Sequence, residues 1–350
     1  MDFSKKIINW YKNNHRKLPW RENKNPYYIL VSEFMLQQTK VSQAIKYYSN
    51  FIKKFPNLEK LAQAEEKEVL KEWEGLGYYK RAINLHSFAK KLREKPIGFF
   101  PKKYQELIKY KGIGPYTGAA IASICFDEVV PAIDGNFYRV FSRYLGIYNN
   151  IISVFTKKIL RTFILKMMDK KNPGIFNQAI MDLGATLCTP KRVKCLLCPI
   201  KIYCFSFKNG TVYELPVKNI IKKSIRNRFF YYVFICNNSK KFCINKRLNK
   251  DIWKGLYEFP LIESEKNLPL FEIRDKIWKK YKIFSDNIIY KVKNKINNQI
   301  LSIQFLNCKI MKPIQIKKNL NKFFFISHEK ICEYPFPSPI TLFFKNEKMI

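Results

Sequence analysis

Four cysteines, Cys188, Cys195, Cys198 and Cys204, fall within 17 residues at the spacing C-x6-C-x2-C-x5-C. Four thiolates this close together are enough for one metal centre. The uneven spacing is unlike the paired knuckles of zinc sites and fits an iron–sulfur cluster better, with zinc the alternative. Lys191, Arg192 and Lys194 stand inside the same loop, which suits contact with phosphate. A second candidate is Glu33, set among Ile29, Leu30, Val31, Phe34, Met35 and Leu36. A carboxyl held among such groups is desolvated, so its pKa rises and it can donate a proton near neutrality. The plainer reading is a solvent-facing or paired glutamate. Asp134, followed by Gly135 and Asn136, is either a second working carboxylate or an ordinary helix N-cap.

The elements that must position these groups are helical. Asn25-Pro26 reads as an N-cap with proline at the first helical position, opening a helix that carries Glu33. Glycines at 112, 114 and 118 allow a tight turn between two helices, the second starting near Pro115 or Tyr116. The free N–H groups and positive dipole end of that second helix make a ready phosphate site, although an ordinary helix–helix turn has the same composition. Residues 58–73 read as one solvated helix, followed by Gly75-Leu76-Gly77-Tyr78-Tyr79-Lys80-Arg81. Aromatics and bases after a capping glycine suit wedging into a duplex, with core packing of the tyrosines as the alternative. Residues 176–184 read as a buried helix ending at Gly184.

At 350 residues the chain suggests two domains. A formal net charge of +38 suits a polyanionic partner, but it is spread along the chain, with +21 in residues 1–210 and +17 in 211–350. The residue usage (Lys, Asn, Ile, Phe, Tyr) follows A/T-rich codons, so charge only supports the reading. No run of about 18 apolar residues occurs and the start lacks a secretory signal, so an intracellular, cytoplasmic place near the nucleoid is expected. Nine cysteines, four clustered and five scattered, do not look like a disulfide framework.

Residues 107–121 followed by Asp134 resemble the helix-hairpin-helix and catalytic aspartate of DNA glycosylases related to endonuclease III. In that superfamily the Schiff-base lysine sits two residues after the second hairpin glycine. Here that position is Tyr116, and a phenol forms no imine with a sugar aldehyde. The resemblance therefore points to the monofunctional adenine DNA glycosylases of the MutY family. The segment SEFMLQQT (residues 32–39) is similar to that family's SEVMLQQT signature. By resemblance Glu33 is the general acid, and Gln37 and Gln38 fill the gap left by a flipped base. Tyr78 in GLGYY matches the intercalating position, and Gly112 and Gly114 belong to the DNA-binding hairpin. Trp20, Arg21 and Gln178 match residues that hold the extruded adenine, and Tyr116 and Asn136 match those that orient Asp134 and the sugar. The cysteine spacing is that of the family's [4Fe–4S] cluster.

The chain changes texture after Gly210, with only Gly255 beyond it. Residues 211–225 read as a linker. Strands are expected at 228–235, 242–244, 300–305 and 323–326 and a helix near 271–281, which makes the second domain α+β. Residues 253–260, WKGLYEFP, resemble the WxGLYxFP signature of the Nudix-like C-terminal domain of the family. The glutamate-rich Nudix box is missing, so DNA reading rather than nucleotide hydrolysis is expected. The family's 8-oxoguanine-reading loop, H-x-(F/L)-(S/T)-H, matches Asn294-Lys295-Ile296-Asn297-Asn298, where both histidines are replaced. Asparagine still donates and accepts hydrogen bonds, so discrimination can survive in weaker form.

These readings combine into an all-α helix-hairpin-helix glycosylase core with an iron–sulfur loop (residues 1–210; hairpin 107–121; loop 188–204), a linker at 211–225 and a Nudix-like domain at 226–350. The implied partner is double-stranded DNA with adenine opposite 8-oxoguanine or guanine, bound by a monomer with no membrane association. Two rivals stand beside it. One is a bifunctional lyase on oxidised pyrimidines, opposed by Tyr116. The other is a DNA-binding remnant that has lost catalysis, opposed by the intact Glu33, Asp134 and cysteine set.

Overall fold

The computed structural model describes residues 3–219, 224–237, 241–248, 251–309 and 323–349, so part of the expected linker lies outside the described residues. The chain divides into two compact units, one made of Met1–Ala62 with Asn84–Ile221, the other of Gln63–Ile83 with Lys222–Ile350. Residues 63–83, which carry the GLGYY segment, thus belong to the unit of the C-terminal half.

The first unit is all helical. It contains α1 (Phe3–Asn14), α2 (Pro26–Leu36), α3 (Val41–Lys54) and most of α4 (Leu58–Gln63). The other unit holds α5 (Glu66–Glu72) and the start of α6 (Lys80–Arg93). Then follow α7 (Tyr104–Leu107), α8 (Pro115–Phe126), α9 (Gly135–Leu145), α10 (Val154–Met167), α11 (Pro173–Thr186) and α12 (Phe205–Lys208). Asn25 caps α2 by accepting from the Tyr27 amide, and every residue from Ile29 to Met35 is buried. Such an all-round apolar helix belongs in a core.

The hairpin joins α7 to α8. Gly112 sits at φ +93°, where a Cβ would lie 2.7 Å from Asn84 Cβ, and a Cβ on Gly118 would lie 2.8 Å from Ile108 Cγ2. Glycine is needed at both, for backbone angle and close approach at the first and for packing at the second. Helix α11 packs on α8 as tightly, since a Cβ on Gly174 would meet the Ser123 carbonyl oxygen at 2.5 Å. Buried Asn177 then bonds Ser123 Oγ (2.7 Å), the Val130 carbonyl (3.0 Å) and the Ala132 amide (3.1 Å). It staples the irregular stretch ahead of Asp134 to both helices.

Two sequence expectations change. Residues 58–73 form two short helices rather than one, because Glu65 and Glu68 make a capping box that starts α5 afresh. Their Leu61, Val69, Leu70 and Trp73 are buried. Gly184 does not end α11, which runs to Thr186. The glycine lies inside the helix where Asn136 packs against it, and a Cβ there would sit 2.6 Å from Asn136 Cβ.

The second unit is α+β. Strands β1 (Arg226–Ile235), β2 (Lys241–Lys246), β3 (Tyr257–Glu258), β4 (Leu261–Ser264), β5 (Phe284–Ile296), β6 (Gln299–Lys309) and β7 (Phe324–Ser327) form two sheets, ordered β4-β1-β6-β5 and β3-β2-β7. Helices α13 (Leu270–Tyr281) and α14 (Ser338–Asn346) accompany them. β1 pairs in parallel with β6, in register Phe230↔Ile303, and β5 pairs antiparallel with β6. The alternation of a strand sends Phe230 and Tyr232 to a core shared with Phe343 and Phe344. Tyr231 and Val233 go to a second core with Ile273 and Ile277 of α13. Glu258, in the WKGLYEFP segment, is buried and accepts from Arg247 Nη1 (2.9 Å) and the Tyr232 hydroxyl (3.1 Å), a structural role.

Candidate active site

Trp20, Arg21, Glu33, Tyr116, Asp134, Asn136 and Gln178, drawn from five separate stretches of the chain, line one cavity of about 170 Å³ in the helical unit. Glu33 reaches it from the middle of α2 and is almost fully buried. Desolvation lifts its carboxyl to about 7. The neighbouring Tyr116 hydroxyl and Arg21 guanidinium pull it down, and the charge of Asp134 adds to the rise. Its Oε2 has no hydrogen-bond partner among the described residues. A buried polar atom without a partner is costly and calls for an explanation.

Asp134 is the N-cap of α9 and also faces the cavity. Its Oδ1 accepts from the amides of Asn136 and Phe137, both at 2.9 Å, and Oδ2 accepts from Asn136 Nδ2 at 2.6 Å. Burial raises its pKa against the pull of these donors and of Arg139. The N-cap reading and the working-carboxylate reading of Asp134 are thus compatible, because capping uses the carboxylate without closing it off from the cavity. Tyr116, buried beside Glu33, is pushed well above the ordinary phenol value by desolvation and the two carboxylates, and its hydroxyl points at Met181 Sδ (3.8 Å). It stays neutral.

Gln178 accepts from the Tyr11 hydroxyl at 3.3 Å, and Trp20 packs edge-on against Tyr48. Gln37 ends α2, donating to the Gly112 carbonyl and Thr117 Oγ1, both at 3.3 Å, so it ties α2 to the hairpin. Gln38 follows with φ +58°. Gly114 is the N-cap of α8 and a Cβ there would meet open space, which leaves the turn approachable.

The four cysteines line a second cavity, with Arg143 beside them. Arg143 donates to Cys188 Sγ (3.3 Å) and to the Thr189 carbonyl (2.8 Å). One turn earlier, Arg139 donates to the Cys188 carbonyl, the Gly184 carbonyl and Asn136 Oδ1, each at 2.7 Å. Among the described residues no three His, Cys, Asp or Glu side chains come together tightly enough to hold a single metal ion. All four thiols line this one cavity, and four cysteines with a cationic donor on one sulfur fit an iron–sulfur group. Lys191, Arg192 and Lys194 are exposed on the same loop.

In the second unit Tyr78 stands 44% exposed at φ +49°, and its hydroxyl donates to Asn297 Oδ1 at 2.6 Å. Asn297, at φ +54°, turns the β5–β6 hairpin, and Asn298 Nδ2 donates to the Ser224 carbonyl. Asn294 lies on β5, paired with Leu301 of β6.

Sequence reasoning missed Tyr11, Arg16 and Asp182, which back the cavity wall, and Arg139 and Arg143. An aspartate inside an apolar helix, one turn after Gln178, was the available signal for Asp182.

The profile of the HhH-GPD superfamily base excision DNA repair proteins matches residues 31–163. An adenine DNA glycosylase of Buchnera aphidicola subsp. Baizongia pistaciae is 37% identical over 340 residues, spanning 97% of this chain and 95% of that protein. Another from Buchnera aphidicola subsp. Schizaphis graminum is 40% identical over 264 residues, 75% of this chain and 76% of its own length. A solved thermostable thymine-DNA glycosylase superposes with a TM-score of 0.54 at 26% identity, covering 59% of this chain and 95% of that one. The chain belongs to the adenine DNA glycosylase family.

Proposed function

We propose that this protein hydrolyses the N-glycosidic bond of adenine mispaired with 8-oxoguanine or guanine in duplex DNA, and that it acts without lyase chemistry. The observation that carries the reading is the buried, unpartnered Oε2 of Glu33, on a carboxyl lifted to about 7, in the same cavity as Asp134. A protonated carboxyl facing a cavity beside a second carboxylate is placed to act as a general acid. The adenine N7 of an extruded nucleotide supplies the acceptor.

Protonation at N7 turns a poor anionic leaving group into a neutral base, and acid catalysis of this kind gives roughly 10²–10⁴-fold. As the bond lengthens the sugar becomes oxocarbenium-like, and Asp134, held by its three donors, supplies the facing negative charge. Trp20, Arg21 and Gln178 hold the base. Asn136 and Tyr116 orient the carboxylates, and Tyr116 has no amine with which to trap the sugar. Gln37, Gln38, Tyr78 and the Gly112–Gly114 turn engage the opened duplex.

Cys188, Cys195, Cys198 and Cys204 would hold a [4Fe–4S] cluster. Such a cluster supplies a rigid scaffold for the loop bearing Lys191, Arg192 and Lys194, which meets the phosphate backbone. The protein works as a monomer on DNA inside the cell. No helix among the described residues is long and apolar enough to cross a membrane.

Single-turnover base release, followed by alkaline strand scission, on duplexes with A:8-oxoguanine, A:G and A:T tests the reading. Fast release from the first, slower from the second and none from the third is expected. Equal rates on the first two would remove the lesion preference, and no release from any would remove the activity.

A further inference from the structure

Residues 15–25 connect α1 to α2 through a single 3-10 turn at Pro19–Arg21, and they supply Arg16, Leu18, Trp20 and Arg21 to the wall of the base cavity. Asp182 of α11 fixes this connection. Its side chain is fully buried and is reached by donors on both oxygens. Oδ1 accepts from Arg16 Nε (2.7 Å) and Arg21 Nη2 (3.0 Å), and Oδ2 accepts from Arg21 Nη1 (2.7 Å) and the Arg16 amide (2.9 Å). Arg16 Nη2 lies a further 2.6 Å from Oδ1.

Two guanidinium forks and a backbone amide saturate the carboxylate, so none of it is left for a substrate. Burial opposes its charge, but the Arg21 and Arg16 contacts overcome that and hold the carboxyl below its ordinary value. It is therefore ionised wherever the protein works.

We propose that Asp182 is a positioning residue of the base pocket: it clamps Arg21, and with it the Trp20 turn, against α11, and it balances the guanidinium charge that faces Glu33. The inference rests on the glycosylase reading of that pocket. The ionisable groups around Glu33 are Tyr116 and Cys125 from α8, Asp134 ahead of α9, and Arg16 and Arg21 from the connection. Of these, Arg16 and Arg21 alone carry positive charge, and Asp182 pairs with both and offsets one of their two charges. With Asp182 replaced by a neutral group, Arg21 either swings away from the base or stays and pulls the proton off Glu33 at lower pH. Both outcomes slow protonation of adenine.

The test compares wild type with Asp182→Asn in three measurements. These are single-turnover base release across the neutral pH range, binding of a duplex carrying a non-cleavable adenine analogue, and titration of the Glu33 carboxyl by infrared difference against Glu33→Gln. Expected are release slowed about 10²-fold at neutral pH, the size attached to misplacement of a reacting group, and a Glu33 titration displaced from wild type, to lower pH where Arg21 stays with its charge unopposed and to higher pH where it swings away. Duplex affinity should change only a few-fold. An unmoved Glu33 titration together with an unchanged release rate in a folded variant overturns the proposal. So does activity lost only in proportion to folded protein.

If Asp182→Asn does not fold, the double variant Arg21→Met/Asp182→Asn decides. It should release base at the rate of Arg21→Met alone, and a further large loss overturns the proposal. The infrared titration does not depend on turnover. A wild type that releases no base therefore sinks the glycosylase reading while the Asp182 inference is still judged by the Glu33 shift.

Discussion

The cavity of the helical unit and the β5–β6 turn of the second unit differ in how firmly they hold their functional residues. In the cavity Asp134 is fixed by a chain of buried and half-buried neighbours. Asp134 is set by two amides and Asn136, Asn136 by Gly184 and Arg139, and the stretch ahead of Asp134 by Asn177. At the turn, Asn297 and Tyr78 stand in solvent and share one hydrogen bond. Chemistry that fails when a group moves by an ångström demands the first arrangement. Under the proposed function, reading the base opposite the target needs less, since a few hydrogen bonds only bias a choice between two purines. Substitutions in the cavity should therefore act on rate by orders of magnitude, and those at the turn on preference by small factors.

The largest effect belongs to Glu33→Gln, which keeps the shape and removes the proton. Base release should fall by at least the roughly 10²–10⁴-fold of positioned acid catalysis, with duplex binding retained. Retained turnover would take Glu33 out of its role. The same substitution should stabilise the fold. A carboxyl raised from 4.5 to about 7 binds its proton more tightly when folded, so its contribution is fully present below 4.5 and declines as pH rises toward 7. Above that, holding the bare charge costs roughly 3 kcal/mol, which glutamine avoids. Thermal melts should coincide in acid and separate in favour of Glu33→Gln above neutrality. Coincident melts at alkaline pH would mean the carboxylate is solvated after all.

In wild type, the rate of base release should fall as pH rises through about 7, where the acid loses its proton. A flat alkaline limb in single-turnover assays would show that another group gives the proton. Next in size is Gly184→Ala. The added methyl would lie 2.6 Å from Asn136 Cβ, closer than real Cβ contacts, so Asn136 must shift and Asp134 loses the partner of its Oδ2. A drop of about 10-fold or more in release is expected, with destabilisation of roughly 1–3 kcal/mol from overpacking. Unchanged kinetics would show that the support around Asp134 is looser than the comparison claims.

The same contrast explains what the sequence made legible. Glu33, Asp134, Tyr116 and the cysteines stand in short local patterns whose spacing carries their meaning. Asp182 could not be read that way, because its partners Arg16 and Arg21 lie 166 and 161 residues away and nothing local names them. Gly184 looked like a helix end since glycine often is one, but a side chain from another helix occupies the space its Cβ would fill. The break between α4 and α5 turned on a capping box whose glutamates looked like surface charge. β5 was missed although Lys291, Lys293 and Lys295 alternate with half-buried Val292, Asn294 and Ile296 as in a one-sided strand, because residues 294–298 were matched to a loop.

The smallest effect should come from the turn itself. Asn297→Ala and Tyr78→Phe remove opposite ends of the same 2.6 Å hydrogen bond. A net hydrogen bond contributes about 0.5–1.5 kcal/mol, and this exposed one falls at the lower end, a few-fold change in the ratio of A:8-oxoguanine to A:G release. Each single variant should lower that ratio by a similar factor while leaving the rate on A:G nearly unchanged. The double variant should lower it no further, because both substitutions delete one interaction. Additive losses would mean that Asn297 and Tyr78 read the duplex independently, and the turn would then be as firmly specified as the cavity.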